Sequence, residues 1–127
     1  MALQRGDIVI ADIPDPDGSP AKHRHPAMVL MADASATDVY VVAISTSFGA
    51  SIPSNWIPMP HATNGHAVTG LKEPCVLKCD WVVRFEVSRL GPVIGSVPPA
   101  IVEQSTNIIL REVARKKEAN QRRGFSS

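Results

Sequence analysis

Short apolar runs alternate with prolines, glycines and polar turns along most of the chain. Runs of this kind that are rich in β-branched side chains and bounded by turn residues are typical of strands. The eleven prolines and eight glycines that separate them are typical of a small all-β barrel or sandwich. The pattern predicts seven strands, at residues 7–13, 27–31, 39–46, 56–59, roughly 67–70, 75–82 and 84–87.

The spacing of apolar positions changes after Pro98, from that of a strand to that of a helix. The result is one mostly apolar stripe, made of Ile101, Val102, Ser105, Ile108, Ile109, Glu112 and Val113. Ser96 and the prolines after it are helix-start signals, and the basic residues from Arg111 onward complement the negative end of the helix dipole. We predict a C-terminal helix whose apolar stripe covers one side of a barrel.

Length and composition limit the number of domains and the class of protein. A chain of 127 residues has room for one modest core, and 44% hydrophobic with 20% charged residues is an ordinary globular composition. Aromatic residues, at 5%, are too few for a surface that binds single strands through rows of stacked rings. We expect one domain over residues 1–127, with its core at about 5–113 and a basic helix end and tail at 114–127.

The sequence carries no recognisable signal peptide and no apolar run of membrane-spanning length. The first apolar run is short and is soon followed by acidic residues and prolines. A net charge of +1 neither favours nor excludes a nucleic-acid partner. We therefore expect a soluble protein of the cytoplasm.

Cys75 and Cys79 lie four residues apart in one predicted strand. Four residues of extended chain span about 13 Å, whereas a disulfide needs Cα atoms within about 7 Å of each other. The same separation prevents both thiolates from binding one zinc ion. We expect two buried, reduced thiols, as is usual in a reducing compartment.

Alternation along this strand places Val76, Lys78 and Asp80 on one side, with Lys78 and Asp80 about 7 Å apart at Cα. The other side, which we expect to face the core, carries Cys75, Leu77, Cys79 and Trp81. Lys78 and Asp80 could form a surface ion pair that contributes little to stability. They could also form an acid–base or phosphate-binding pair on a rigid strand, and the residues alone leave both interpretations open.

Ser45 ends the apolar run VYVVAISTS at the point where polarity changes. A strand-ending hydroxyl often bonds to the neighbouring backbone. The alternative is a hydroxyl presented at the rim of a functional site. Sequence pattern does not choose between these two roles.

A basic cluster, KHRHP at residues 22–26, stands directly before the second predicted strand. His23 and His25 occupy alternate positions and could face one metal ion, but no acidic or thiol ligand is adjacent. The cluster could equally be a solvated turn. As a loop for phosphate binding and proton transfer, it offers permanent charge from Lys22 and Arg24 and imidazoles that titrate near neutral pH.

Five short segments in a fixed order connect these candidate residues to a known family. They are Arg5-Gly6-Asp7-Ile8, the loop Gly18 to Pro26 that leads into Ala27-Met28-Val29-Leu30, Ile44-Ser45-Thr46, Leu77-Lys78-Cys79-Asp80, and Arg89-Leu90-Gly91. In their order and spacing they resemble the MazF/PemK/Kid family of bacterial toxin endoribonucleases. The resemblance covers roughly residues 5–113.

The resemblance implies a mainly β fold, an SH3-like twisted β-barrel of about six to seven strands with a C-terminal helix. It also implies a homodimer that is blocked by a cognate antitoxin protein and needs no cofactor or metal. The implied activity is cleavage of single-stranded mRNA independently of the ribosome. A ribose 2′-OH attacks its own phosphodiester, which leaves a 2′,3′-cyclic phosphate and a 5′-OH.

The chain departs from the family pattern at four positions. The family's Arg before Pro is His25, with Arg24 one place earlier, and its Arg before Cys-Asp is Lys78. Its Thr is Ser45, and a loop His of some members is Ser19. Lys keeps the charge of Arg but lacks the bidentate fork, and His transfers protons near neutral pH but holds less permanent charge.

Carried onto this chain, the family chemistry gives each candidate residue a role. Asp80 is the general base and His25 the general acid, although these two roles could be exchanged. Lys78 and Arg24 stabilise the phosphate, and Ser45 positions it. The residues expected to contact RNA are Ser19, Lys22, His23 and Thr46.

Two other functions are compatible with these substitutions. One is a catalytically weakened barrel that acts as an RNA- or protein-binding module, which the replaced arginine favours. The other is an inhibitor of DNA gyrase, as CcdB is on a related barrel. The basic loop and the Lys-Cys-Asp strand favour the nuclease over the gyrase inhibitor.

Overall fold

The computed structural model describes residues 3–14, 24–32 and 37–125, with side chains for these residues except 32 and 116–125. Within these residues, six strands and one long helix make up the fold. They are β1 (Asp7–Ala11), β2 (His25–Ala32), β3 (Asp38–Ser45), β4 (Trp56–Pro58), β5 (Val76–Glu86), β6 (Val93–Ser96) and α1 (Pro99–Phe125). A short 3₁₀ turn, Val87–Arg89, joins β5 to the segment before β6.

The strands form one antiparallel sheet in the order β4-β5-β3-β2-β1-β6. The sheet curves like a barrel without closing, and the predicted mainly β fold with a C-terminal helix is confirmed. Along β6 lies the stretch 68–70, where the Ser96 N–H donates to the Val68 carbonyl at 2.8 Å. Gly70 and Gly95 bring the two backbones of this seam into close approach. The stretch 68–70 therefore lies along the edge of β6 that is not paired with β1.

Two of the predicted strand assignments are wrong. Residues 67–70 form turns rather than a strand, because the backbone N–H groups of Val68 and Thr69 donate to His66 Nδ1 at 3.1 and 3.3 Å. The predicted strands 75–82 and 84–87 are instead the single strand β5. The prediction did not include strand β6. Its four residues are mostly exposed in the structure and include a glycine, so they lack the apolar pattern of a buried strand.

An irregularity in β5 changes which core its side chains enter. Between Leu77 and Val82 this strand advances five residues, while its partner β3 advances only two, from Ile44 to Val42. Extra residues of this kind bend a strand and redirect its side chains. The prediction that Trp81 shares the face of Cys79 is therefore wrong, because the two side chains belong to different core clusters.

Two apolar clusters hold the sheet, one on the side of α1 and one on the opposite face. The helix-side cluster contains Ile8, Met28, Val42, Ile44, Ile57, Met59, Leu71, Cys75, Leu77, Cys79, Val97 and Ile108. The second cluster contains Val9, Ala11, Ile13, Ala27, Val29, Val39, Val41, Ala43, Trp81 and Phe85. Alternate residues of β2 and β3 thus enter opposite clusters, as the period of a strand requires.

Helix α1 places its predicted stripe against the sheet. Ser105 and Ile108 are buried, and Ile101, Val102 and Ile109 pack on the helix-side cluster. Val113, at the end of the stripe, is exposed. Within the described ranges, no helix combines the length and apolar character needed to cross a membrane.

Cys75 and Cys79 are both buried, as predicted, and both are free thiols. Burial, with a smaller effect of the Glu73 carboxylate, raises the pKa of Cys75 to about 11. Burial, with a smaller effect of the neighbouring Asp80, raises the pKa of Cys79 to about 12. Both thiols therefore stay protonated in the folded protein at neutral pH.

These raised pKa values predict that the protein loses stability in alkaline solution. A thiol in the unfolded chain ionises near its ordinary pKa of 9.0, whereas in the folded chain it keeps its proton up to about 11 or 12. The contribution is intact below pH 8 and falls above pH 9, by up to about 1.4 kcal/mol per pH unit for each thiol. Urea unfolding at pH 8, 9 and 10 measures the slope. The double variant Cys75→Ala/Cys79→Ala should show a shallower slope, and equal slopes would contradict the prediction.

Candidate functional site

The first residue of β2, His25, contacts a tryptophan from β5. The imidazole of His25 meets the ring of Trp81 edge-on, with centroids 5.6 Å apart and an interplanar angle of 66°. Trp81 is only 9% exposed, and its Nε1–H donates to the Pro14 carbonyl at 3.1 Å. The indole therefore holds the end of the segment after β1 and also supports His25.

Lys78 lies between two tryptophans. Its Nζ atom is 4.2 Å from the centroid of the Trp56 ring and 5.9 Å from that of Trp81. An ammonium group at these distances is attracted by the negative face of an indole. Trp56 is also the partner of Lys78 in the β4–β5 register, so this contact follows from the strand pairing.

Asp80 is exposed and accepts a hydrogen bond from the same Trp56. The Trp56 Nε1–H donates to Asp80 Oδ1 at 2.8 Å. Lys78 and Asp80 therefore contact the same indole, Lys78 through the ring face and Asp80 through the N–H. We refer to the connected set His25, Trp81, Lys78, Trp56 and Asp80 as the tryptophan row.

A groove of about 500 Å³ begins at the His25 end of the tryptophan row. It is lined by Arg24, His25, Pro26, Ile44, Thr46, Gly70, Leu71, Lys72, Glu73, Cys75 and Ile94. Arg24 is exposed, and its Nε lies 3.6 Å from Asp12 Oδ1. Of the predicted phosphate and RNA contacts, Arg24 and Thr46 thus share one groove with His25.

Ser45 occupies a different position from the one its predicted role requires. Its side chain is buried, with 4% of the residue exposed, and the Ser47 N–H donates to its Oγ at 3.0 Å. This is the local backbone bond of a strand end, the first of the two roles that the sequence leaves open. The next residue, Thr46, is exposed and lines the groove instead.

Three predicted RNA contacts, Ser19, Lys22 and His23, lie outside the described residues. His66 Nδ1 accepts the backbone N–H groups of Val68 and Thr69 within its own turn. His61 Nδ1 lies 3.4 Å from the Met59 carbonyl. Among residues 3–14, 24–32 and 37–125, no cluster of three or more His, Cys, Asp or Glu side chains could hold a metal ion.

Sequence reasoning missed both tryptophans as parts of the site. Low aromatic content argued against ring stacking along a strand of nucleic acid, and alternation assigned Trp81 to the same core face as Cys79. A weak signal was available at Trp56, which opens a predicted strand of only four residues, 56–59, that contains a proline.

The tryptophan row combines three kinds of chemistry within one connected arrangement. An imidazole can give or take a proton near neutral pH, a carboxylate can accept one, and an ammonium can neutralise developing negative charge. The exposed guanidinium of Arg24 adds a second cation at the groove. Such a set is suited to proton transfer around an anionic group such as a phosphodiester.

Comparison with known protein families gives one match that covers most of the chain. The family model described as PemK-like, MazF-like toxin of type II toxin-antitoxin system matches residues 4–112. A comparison with curated proteins returned no match.

Solved structures with the same fold include three mycobacterial proteins. An endoribonuclease from mycobacterial species in complex with its cognate antitoxin has a TM-score of 0.64 and 19% identity, covering 89% of this chain and 96% of that chain. An endoribonuclease from mycobacterial species has a TM-score of 0.63 and 20% identity, with coverages of 90% and 93%. The Mycobacterium tuberculosis toxin MazF-mt6 has a TM-score of 0.59 and 24% identity, with coverages of 81% and 91%.

Proposed function

Because the chain belongs to the PemK-like, MazF-like toxin family of type II toxin-antitoxin systems, we propose that it is an endoribonuclease that cleaves single-stranded RNA. One observation carries the proposal. The imidazole of His25 and the ammonium of Lys78 contact the same Trp81 ring, while Lys78 and Asp80 contact the same Trp56 ring. A candidate acid, a cation and a candidate base are thereby connected through two indoles, with His25 lining the groove and Asp80 lining a separate concavity beside Asn55 and Tyr40.

The proposed reaction uses a nucleophile that belongs to the RNA itself. Asp80 takes the proton of a ribose 2′-OH as its oxygen attacks the adjacent phosphorus. The bond from phosphorus to the 5′-oxygen breaks, and protonated His25 gives that oxygen its proton. The products are a 2′,3′-cyclic phosphate and a 5′-OH, and no water is consumed in this step.

Negative charge that develops on the phosphorane oxygens needs nearby cations. Lys78 supplies one from the tryptophan row, and Arg24 supplies a second from the lining of the groove. Because side chains supply the base, the acid and the two cations, the proposed cleavage requires neither a metal nor another cofactor. Lysine here acts as a point charge, without the bidentate geometry of arginine.

The groove is the proposed path of the RNA strand. Thr46 is exposed within it and can donate a hydrogen bond to a phosphate or a base. We assign buried Ser45 to holding the backbone around Thr46, through its bond from the Ser47 N–H, rather than to touching the phosphate. Contacts from Ser19, Lys22 and His23 stay predictions from the sequence.

The family also suggests how the activity is controlled. We propose that the protein works in the cytoplasm as a homodimer and that a cognate antitoxin protein blocks its groove. One of the mycobacterial endoribonucleases with this fold is itself in complex with its cognate antitoxin. Size measurement of the purified chain, alone and with the product of an adjacent antitoxin-like reading frame, would test both partners.

Cleavage of a single-stranded RNA in the presence of EDTA tests the proposed function directly. We expect products with a 5′-OH, which polynucleotide kinase labels without prior phosphatase treatment, and a 2′,3′-cyclic phosphate. A matched RNA with a 2′-deoxy nucleotide at the cleaved position should bind but stay intact. Cleavage of that RNA, or a strict need for a divalent metal, would contradict the mechanism.

The same preparation separates the two alternative functions. RNA binding without cleavage would indicate the catalytically weakened barrel that the substitution of His25 for the family arginine favours. Inhibition of gyrase supercoiling without RNA cleavage would indicate the CcdB-like alternative. Either result would overturn the nuclease proposal.

A further inference from the structure

Trp56 contacts two of the proposed catalytic groups through different parts of one indole. Its ring face lies 4.2 Å from Lys78 Nζ, and its Nε1–H donates to Asp80 Oδ1 at 2.8 Å. We propose that Trp56 is a positioning residue, which fixes the carboxylate of Asp80 and the ammonium of Lys78 for cleavage. This inference rests on the proposed endoribonuclease function.

The backbone on both sides of Trp56 is tied to the strand that carries these groups. In the β4–β5 register Trp56 is opposite Lys78, and the next residue, Ile57, is buried in the helix-side cluster opposite Leu77. On the other side, the Cys79 N–H donates to the Asn55 carbonyl at 3.1 Å. Because the chain is held before and after Trp56, the indole cannot drift from β5 without breaking these contacts.

The chemistry of an indole suits a positioning role. Its N–H is a donor only and does not titrate, so it keeps the same bond to a carboxylate oxygen throughout the working pH range. With Oδ1 held by Trp56, Oδ2 of Asp80 is left to take the proton of the 2′-OH. The ring face also restricts the flexible side chain of Lys78, whose ammonium group would otherwise point its three N–H donors in many directions. Holding groups near their reacting geometry contributes to the rate rather than to binding.

Two substitutions separate the contributions of the N–H and the ring. Trp56→Phe keeps an aromatic face for Lys78 but removes the donor to Asp80, and we expect kcat to fall roughly 10-fold with KM nearly unchanged. Trp56→Leu removes both contacts and should lower kcat further. As a matched control, Phe48→Leu changes an exposed aromatic residue that is absent from the tryptophan row and the groove, and should leave cleavage unchanged.

A double-mutant cycle tests whether Trp56 acts through Asp80. In the background Asp80→Asn, Trp56→Phe should have little further effect on kcat, because the group that the indole positions has already lost its function. If the two losses simply multiply, or if Trp56→Phe raises KM while kcat is unchanged, the positioning role is overturned.

A measurement independent of activity follows the indole N–H by NMR. In Asp80→Asn the Nε1–H resonance of Trp56 should shift, because a charged acceptor becomes neutral, whereas that of Trp81, bonded to the Pro14 carbonyl, should stay in place. An unmoved Trp56 resonance would contradict the contact itself. If the parent cleaves no RNA although the resonance shifts, the proposed function fails. If the parent cleaves and Trp56→Phe has its full kcat, only the positioning role fails.

Discussion

Asp80→Asn should leave the protein folded and lower RNA cleavage by about 10²-fold or more, the usual contribution of a positioned general base. Asparagine keeps an oxygen that can accept the Trp56 Nε1–H, so the strand β5 and the indole should stay in place. What is lost is the ability to take the 2′-OH proton. Single-turnover cleavage, with thermal unfolding measured in parallel, distinguishes the chemical effect from a loss of folded protein.

The control for this prediction lies on the same strand. Glu86 is an exposed carboxylate at the end of β5, outside the tryptophan row, and Glu86→Gln should cleave like the parent. If Asp80 served only as a surface charge beside Lys78, Asp80→Asn would change stability by less than about 1 kcal/mol and keep full activity. That result would remove Asp80 from the site.

His25→Ala should slow cleavage by about 10²-fold and flatten the alkaline limb of the pH–rate profile. A histidine that acts as general acid must be protonated, and a histidine side chain ordinarily titrates near pH 6.5. The rate should therefore fall in the parent as pH rises through the pKa of this group, and the variant should lack that fall. Rates between pH 5 and 9 measure the effect, with His61→Ala, outside the groove lining and the row, as the matched control.

Arg24→Ala should give a different signature at the neighbouring position. Arginine stays charged across this range, so its loss should weaken RNA binding and reduce the salt dependence of binding without moving the alkaline limb. His25→Arg restores the family residue and should keep or raise activity if the two positions are equivalent. If His25→Ala and His25→Arg both cleave like the parent from pH 5 to 9, His25 has no catalytic role.

Local sequence patterns predicted most of the fold. Alternation placed β2 and β3 to within a few residues, and helical spacing identified the buried face of α1 through Ser105 and Ile108. The failures occur where contacts between distant segments decide. Residues 68–70 lie along β6, where the Ser96 N–H donates to the Val68 carbonyl, and β6 itself forms by pairing with the edge of β1.

The candidate site shows the same division between local and long-range information. Ordered motifs identified the family and pointed to His25, Lys78 and Asp80, and the family model matches residues 4–112. The tryptophans that join these residues went unrecognised, because the bond from Trp56 to Asp80 spans 24 residues and forms only once β4 pairs with β5. Likewise, the irregularity that turns Trp81 toward His25 depends on the register between β3 and β5.

The close approach of residues 68–70 to β6 limits the substitutions that the fold can tolerate at two glycines. A Cβ added at Gly70 would overlap the Ile94 carbonyl oxygen, and one added at Gly95 would overlap the backbone of Thr69 and Val68. Backbone atoms cannot move aside as a flexible side chain can, and Gly70 also has a φ of +71° that other residues rarely adopt. In a library randomised at Gly70 and Gly95, selection for folded protein should return glycine alone. The neighbouring residues Val68 and Ile94 have exposed side chains and should tolerate many substitutions.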